Sequence, residues 1–145
     1  MIEIINLEQE KQTSCRAMIC QLDSQDFDWS NDCGLSFLST NDKISIKVKE
    51  FLKIAKHNSV DLIIFPELAI PEKLIGSIQE WSREQESIVI CGSHYYRSKE
   101  GFISRCPVII KGNVYFTEKM FPSPLEKSPI LGEGIVSGAK VLKFT

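Results

Sequence analysis

The chain has 145 residues, 43% of them hydrophobic and 25% charged, which matches the averages of soluble globular proteins and suggests one domain large enough to bury a core. Seventeen basic against nineteen acidic side chains give a net charge of -2, with no run of Lys or Arg to neutralise a phosphate backbone, so nucleic-acid binding is disfavoured. The longest apolar window, VDLIIFPELAI at 60–70, is interrupted by Asp61, Pro66 and Glu67 and is too short to cross a bilayer; MIEIINLEQEKQ at the start lacks a basic and apolar signal pattern, so no membrane association and a cytoplasmic location are expected.

Residues 1–13 read as a polar leader and 14–145 as the folded domain. CRAMICQL, Cys15 to Leu22, is a compact apolar run that predicts a buried strand. A polar loop follows to about Asn41. Its DFDWSND stretch, Asp26 to Asp32, has the acidic spacing of a calcium loop, but Asn31 stands where glycine is needed and Phe37 where the bidentate glutamate is needed, so it reads as a solvated loop. KISIKVKEFLKIAKHN then sets Ile44, Val48, Phe51, Leu52 and Ala55 at helical spacing, with its lysines mostly outward and Asn41 available as N-cap; this predicts an amphipathic helix packed on a sheet. VDLIIF predicts a parallel strand buried on both faces and closed by Pro66.

After Pro71, EKLIGSIQEWSREQE aligns Leu74, Ile78 and Trp81 and predicts a second helix, which Gly76 weakens. SIVICGSHYY, Ser87 to Tyr96, reads as the next strand. ISRCPVII and VYFTEKM read as two more, joined through Lys111-Gly112-Asn113 with Gly-Asn as the hairpin signal; Pro107 points to an edge position or a bulge. The proline-rich FPSPLEKSPILGEG leads to AKVLKF, a last alternating strand. Strand, helix, strand, helix, strand and hairpin predict a layered α/β fold with a mixed sheet and helices on one face.

Catalytic groups of open α/β sheets collect at the carboxyl ends of strands, and Glu67 lies at such an end, aimed by Pro66. A carboxylate buried there needs partners or a raised pKa; a solvated one merely opens a turn. Lys119 leaves another strand into a proline-stiffened loop, where an ammonium can stabilise an oxyanion or simply pair with Glu118. Glu126, seven residues on, either orients that lysine or is a loop charge beside Lys127. A Glu–Lys pair serves a thiol nucleophile naturally, but Cys91 and Cys106 sit among apolar strand residues and read as core packing. The odd set of five cysteines, at 15, 20, 33, 91 and 106, has no CxxC and only His57 and His94 to complete a site, so neither disulfides nor a metal nor another cofactor is expected. His57 reads as a surface residue near a helix end, and His94 as one that stacks or makes a single hydrogen bond.

With these positions in hand, the chain resembles the carbon–nitrogen hydrolase (nitrilase) superfamily in three ordered segments: a strand ending in Gln21, then DLIIFPELAI, then IVICGSHYY through VIIKGNVYFTEKMFPSPLE. GEGIVSGAKVLKF is similar to the family's glycine-containing lead-in to a strand. The resemblance implies a Glu-Lys-Cys triad on an α-β-β-α sandwich, here roughly its first half. Glu67 would be the general base, Lys119 the oxyanion stabiliser, and Glu126 the second acidic residue near the lysine. It also implies hydrolysis of a non-peptide C–N bond in a small amide, carbamoyl compound or nitrile. The family's nucleophilic cysteine belongs to a position beyond Thr145, and none of the five cysteines occupies it, so the chain is expected to be the incomplete, inactive N-terminal part of such an enzyme.

Two other readings compete. One is a noncatalytic nitrilase-like module that binds a partner chain or a second copy of itself through its uncovered sheet. The other is an unrelated α/β enzyme using Cys91 or Cys106.

Overall fold

The computed structural model describes residues 1–5, 14–23, 28–32, 35–39, 42–127 and 134–144. In chain order these form β1 (Ile2–Ile5), β2 (Ala17–Ile19), β3 (Asp28–Asp32), β4 (Leu35–Ser39), α1 (Asp42–His57), β5 (Leu62–Ile64), α2 (Glu72–Ser82), β6 (Ile88–Ile90), β7 (His94–Arg97), β8 (Phe102–Ile110), β9 (Asn113–Glu118), α3 (Pro124–Lys127) and β10 (Val141–Phe144). The fold is α/β with a mixed sheet. β2, β5 and β6 run parallel, β8 is antiparallel to β6, and β9 is antiparallel to β8. β5, β6 and β9 therefore all end at the same edge of the sheet.

The two long helices cover one face. The periodicity of α1 puts Ile44, Val48, Leu52 and Ala55 against the sheet, where they meet Ile63, Phe65, Val89 and Ile109, with Leu74 and Ile78 of α2 in the same core. Burying one such aliphatic side chain contributes about 1.5–3 kcal/mol, and this layer contains most of the buried residues. Asp42 in the first turn of α1 and Lys56 and His57 in the last complement its dipole; Asn41, expected as its N-cap, lies outside the described residues. α2 stops at Ser82 rather than continuing to residue 86, because the buried Ser82 hydroxyl donates to the Gln79 carbonyl at 2.9 Å and accepts the Gly112 N–H at 2.9 Å, which ties the helix end to the β8–β9 turn.

The opposite face differs. Ile5, Val108 and Ile110 form a smaller cluster there with Ile88, Ile90, Tyr115 and Leu142. Leu62 and Ile64 are only half-buried, so β5 is not sealed on both sides as the run VDLIIF suggests. Covering part of this face is a two-stranded parallel ribbon of β1 and β10, paired from Ile2–Val141 to Ile5–Phe144. Residues 2–5, read from sequence as part of a leader, thus form a strand.

Three further readings are corrected. Residues 28–32, expected in a solvated loop, pair antiparallel with 35–39. The β8–β9 hairpin turns on Lys111 and Gly112, both at positive φ as a two-residue primed turn requires, with Asn113 already in β9. SIVICGSHYY is not one continuous strand: β6 pairs with β8 as Ile88–Ile110, whereas β7 pairs as His94–Arg105, one residue out of step. One extra residue therefore sits between them, a bulge at 91–93 with Gly92 at φ 72°. Pro107 lies opposite this bulge in a central strand. Its carbonyl accepts the Cys91 N–H at 2.9 Å, and its missing donor falls where the ladder is already broken.

Candidate active site

Glu67 follows β5 in a tight turn. The Ala69 N–H donates to the Pro66 carbonyl at 3.2 Å, and Leu68 adopts φ 59°, an unusual conformation for a residue with a β-carbon. Two contacts with the bulge hold the turn there. The Leu68 N–H donates to the Ser93 carbonyl at 2.8 Å, and the Ser93 hydroxyl donates to Glu67 Oε1 at 2.7 Å. Gly92 lies so close that a β-carbon on it would stand 2.0 Å from the Pro66 oxygen and 3.1 Å from the Glu67 nitrogen. The strand-end proline and the glycine-bearing bulge are thus one unit, and Glu67 is its exposed tip.

Lys119 leaves β9 at the same edge of the sheet. Its N–H donates to the Ser104 carbonyl at 2.9 Å, which extends the β8–β9 register by one residue, and its carbonyl accepts the Gly138 N–H at 2.9 Å. Its ammonium donates to Glu126 Oε1 at 2.6 Å. The alternative pairing with Glu118 does not occur. Glu118 instead accepts from Arg105 Nε at 2.9 Å and from the Ala139 N–H at 2.9 Å.

Glu126 is fixed by a second device. SPLE at 123–126 is a capping box with proline at the first helical position: the Ser123 N–H donates to Glu126 Oε2 at 2.7 Å and the Glu126 N–H donates to the Ser123 hydroxyl at 3.3 Å. One carboxylate oxygen caps α3 and the other holds the lysine. The hydrogen bond from Lys119 is the main cause that lowers the Glu126 pKa, and the same bond raises that of Lys119. Glu67 adds to the upward shift of Lys119, so the two sequence-predicted residues lie within electrostatic reach of each other.

The β8–β9 register, continued by Lys119, puts Lys119 on the sheet face opposite the helices. Ser104 stands opposite Tyr95, and Cys106 opposite Thr117, in alternation with the Val108 and Ile110 of that face. Tyr95 was not singled out by the sequence. Burial raises its pKa first, and the nearby Glu67 and Glu126 carboxylates raise it further against Lys119, so its side chain lies among all three. The bulge is the reason: without the extra residue His94 would take this face and Tyr95 the helix side. The sequence signal available was Gly92 inside an otherwise regular strand pattern. His94 instead is buried on the helix side, edge-on to the rings of Tyr95 and Tyr96, and burial lowers its pKa.

The thiols are placed differently. Cys20 and Cys91 are buried in the helix-side core, and burial pushes both up, Cys20 to about 11. Cys106 is half-buried on the site face; burial raises it, the Gly92 N–H opposes this, and Glu67 adds to the rise. Cys15 is exposed before β2, at the opposite end of the sheet from Glu67. Among the described residues no three His, Cys, Asp or Glu side chains cluster as metal ligands, and no helix is long and apolar enough to cross a membrane.

No family model matches the sequence, and no curated protein matches it. A solved structure, a glutamine-dependent NAD(+) synthetase from Cytophaga hutchinsonii, is similar over 57% of this chain and 17% of its own, with 16% identity and a TM-score of 0.42.

Proposed function

We propose that this site is the base and oxyanion part of a carbon–nitrogen hydrolase acting on a small amide, carbamoyl compound or nitrile. The observation that carries the reading is the convergence of Glu67 and the Glu126-held Lys119 at one end of the sheet and within electrostatic reach of each other. Glu67, oriented by Ser93, is suited to take the proton of an attacking thiol, and Lys119 to stabilise the oxyanion or nitrogen anion that forms on the substrate. Glu126 keeps the ammonium charged and in place. None of the described thiols is assigned the attack: Cys20 and Cys91 are buried on the other face, Cys15 lies at the wrong end, and burial holds Cys106 protonated.

The test is ammonia release from a panel of small amides, carbamoyl compounds and nitriles by the protein expressed from its complete reading frame. Glu67→Gln and Lys119→Met are each expected to lower kcat/KM by about a hundredfold or more. Hydrolysis that survives Glu67→Gln unchanged overturns the assignment.

A second reading, a noncatalytic module that works with a partner chain or a second copy, is favoured by one observation. Ile2, Ile4 and Ile19 are 68%, 60% and 79% exposed, and such apolar surface is suited to being covered. Absence of ammonia release defeats the first reading, and a single monomeric species by analytical ultracentrifugation removes the second-copy form of the other.

A further inference from the structure

A groove of about 320 Å³ runs between α1 and α2. Its floor is apolar: Val48 and Leu52 stand one turn apart on α1 and Leu74 and Ile78 one turn apart on α2, and the half-buried Trp81 also lines it. The α1 rim carries Lys49, Lys53 and Lys56. At 1.5 Å of rise per residue their stems leave the helix about 6 Å and then about 4.5 Å apart along its axis. All three are exposed, none forms an ion pair with a described residue, and no described acidic residue lines the groove.

An apolar floor beside a one-sided row of cations selects its occupant by shape and by charge. We propose that this groove docks an acidic amphipathic helix of a partner protein, with apolar side chains on the Leu52–Ile78 floor and carboxylates at i, i+4 and i+7 facing the three lysines. A helix is the complementary form because its i, i+4 and i+7 positions repeat both lysine steps along α1, whereas a strand's even spacing matches only the longer one. A second copy of the same face is disfavoured, since symmetric contact sets lysine against lysine. A nucleic acid satisfies the lysines but sets phosphates and sugars on the apolar floor. The groove lies on the helix side of the sheet, away from Glu67 and Lys119, so the inference stands whether or not the hydrolase reading does.

The experiment follows amide and Trp81 indole signals of the 145-residue chain by heteronuclear NMR. The probes are a designed Leu/Glu amphipathic helical peptide, a Leu/Lys peptide of the same pattern, and single-stranded oligo-dT. The Leu/Glu peptide is expected to shift α1 and α2 signals with saturation. Lys49→Glu/Lys53→Glu/Lys56→Glu is expected to weaken it about tenfold or more and to transfer preference to the Leu/Lys peptide. Lys49→Ala/Lys53→Ala/Lys56→Ala removes the charges without reversing them and should weaken the Leu/Glu peptide alone, which guards against a folding defect in the reversed variant. Equal binding of the two peptides, no binding of the Leu/Glu peptide, or binding that both variants leave unchanged overturns the proposal. Stronger shifts by oligo-dT than by the Leu/Glu peptide overturn it in favour of nucleic acid.

Discussion

A β-carbon on Gly92 would fall 2.0 Å from the carbonyl oxygen of Pro66. That approach joins the end of β5 to the bulge between β6 and β7, and it sets the Ser93 hydroxyl against Glu67. Gly92→Ala must open the contact as well as place alanine at φ 72°. A loss of about 2–4 kcal/mol in urea-unfolding free energy is expected. Ser93→Ala, which removes one exposed hydrogen bond, is expected to cost less than about 1 kcal/mol while freeing the carboxylate. Equal costs for the two variants would contradict the coupling of turn and bulge.

The Lys119–Glu126 pair should stabilise the fold only within a pH window. Glu126 has a folded pKa below its unfolded value, so its contribution is present above about pH 4.3 and is lost as pH falls through the folded value. Lys119 has a folded pKa above its unfolded value, so its contribution is present below about pH 10.4 and is lost as pH rises through the folded value. The ammonium side chain is 40% exposed, which limits the pair to about 1 kcal/mol or less. Comparing Glu126→Gln with wild type by chemical denaturation across this range should show the largest difference near pH 7, a smaller one as pH falls through the lowered Glu126 value, and at high pH only the part owed to the Ser123 cap.

Glu118 has the larger structural role of the two neighbouring acids. Burial alone would raise its pKa, but the Ala139 N–H and the Arg105 guanidinium outweigh that and lower it. Arg105 lies over the Tyr96 and Phe116 rings, 5.8 and 5.6 Å from their centroids, and Glu118 is only 10% exposed. Glu118→Ala leaves a half-buried guanidinium without its acid and should cost about 2–3 kcal/mol. Its stabilisation should be present above about pH 4.3 and fade as pH falls through the lowered folded value. A melting temperature that Glu118→Ala leaves unchanged would contradict this.

Among the described cysteines, Cys15 should react first with iodoacetamide at neutral pH, Cys106 slowly and Cys20 and Cys91 last, as their burial ranks them. Peptide mapping by mass spectrometry reads the order. A fast thiol at Cys91 or Cys106 would favour instead an α/β enzyme that uses one of those residues as its nucleophile.

Periodicity carries the elements whose burial is one-sided and long. α1 is legible because Ile44, Val48, Leu52 and Ala55 repeat over about three turns, and the β8–β9 hairpin because Gly112 marks its turn. β1 is not legible: four residues alone do not specify a strand, and its partner β10 lies at the far end of the chain. The β3–β4 pair is hidden by the polar composition of residues 28–32. The positions of Glu67 and Lys119 at the strand ends are legible from Pro66 and from the close of VYFTEK. Tyr95 and Ser93 are not, because one bulged residue reverses which side chains face the site, and the capping box that fixes Glu126 is masked by its place in a proline-rich loop.

The central claim is that Glu67 and Lys119 act on one site. Its most direct test is a heteronuclear NMR titration of the Lys119 side chain in wild type, Glu67→Gln and Glu67→Gln/Glu126→Gln. The Lys119 pKa is expected to fall on Glu67→Gln and to fall further in the double variant. A Lys119 titration that is indifferent to Glu67→Gln would contradict it.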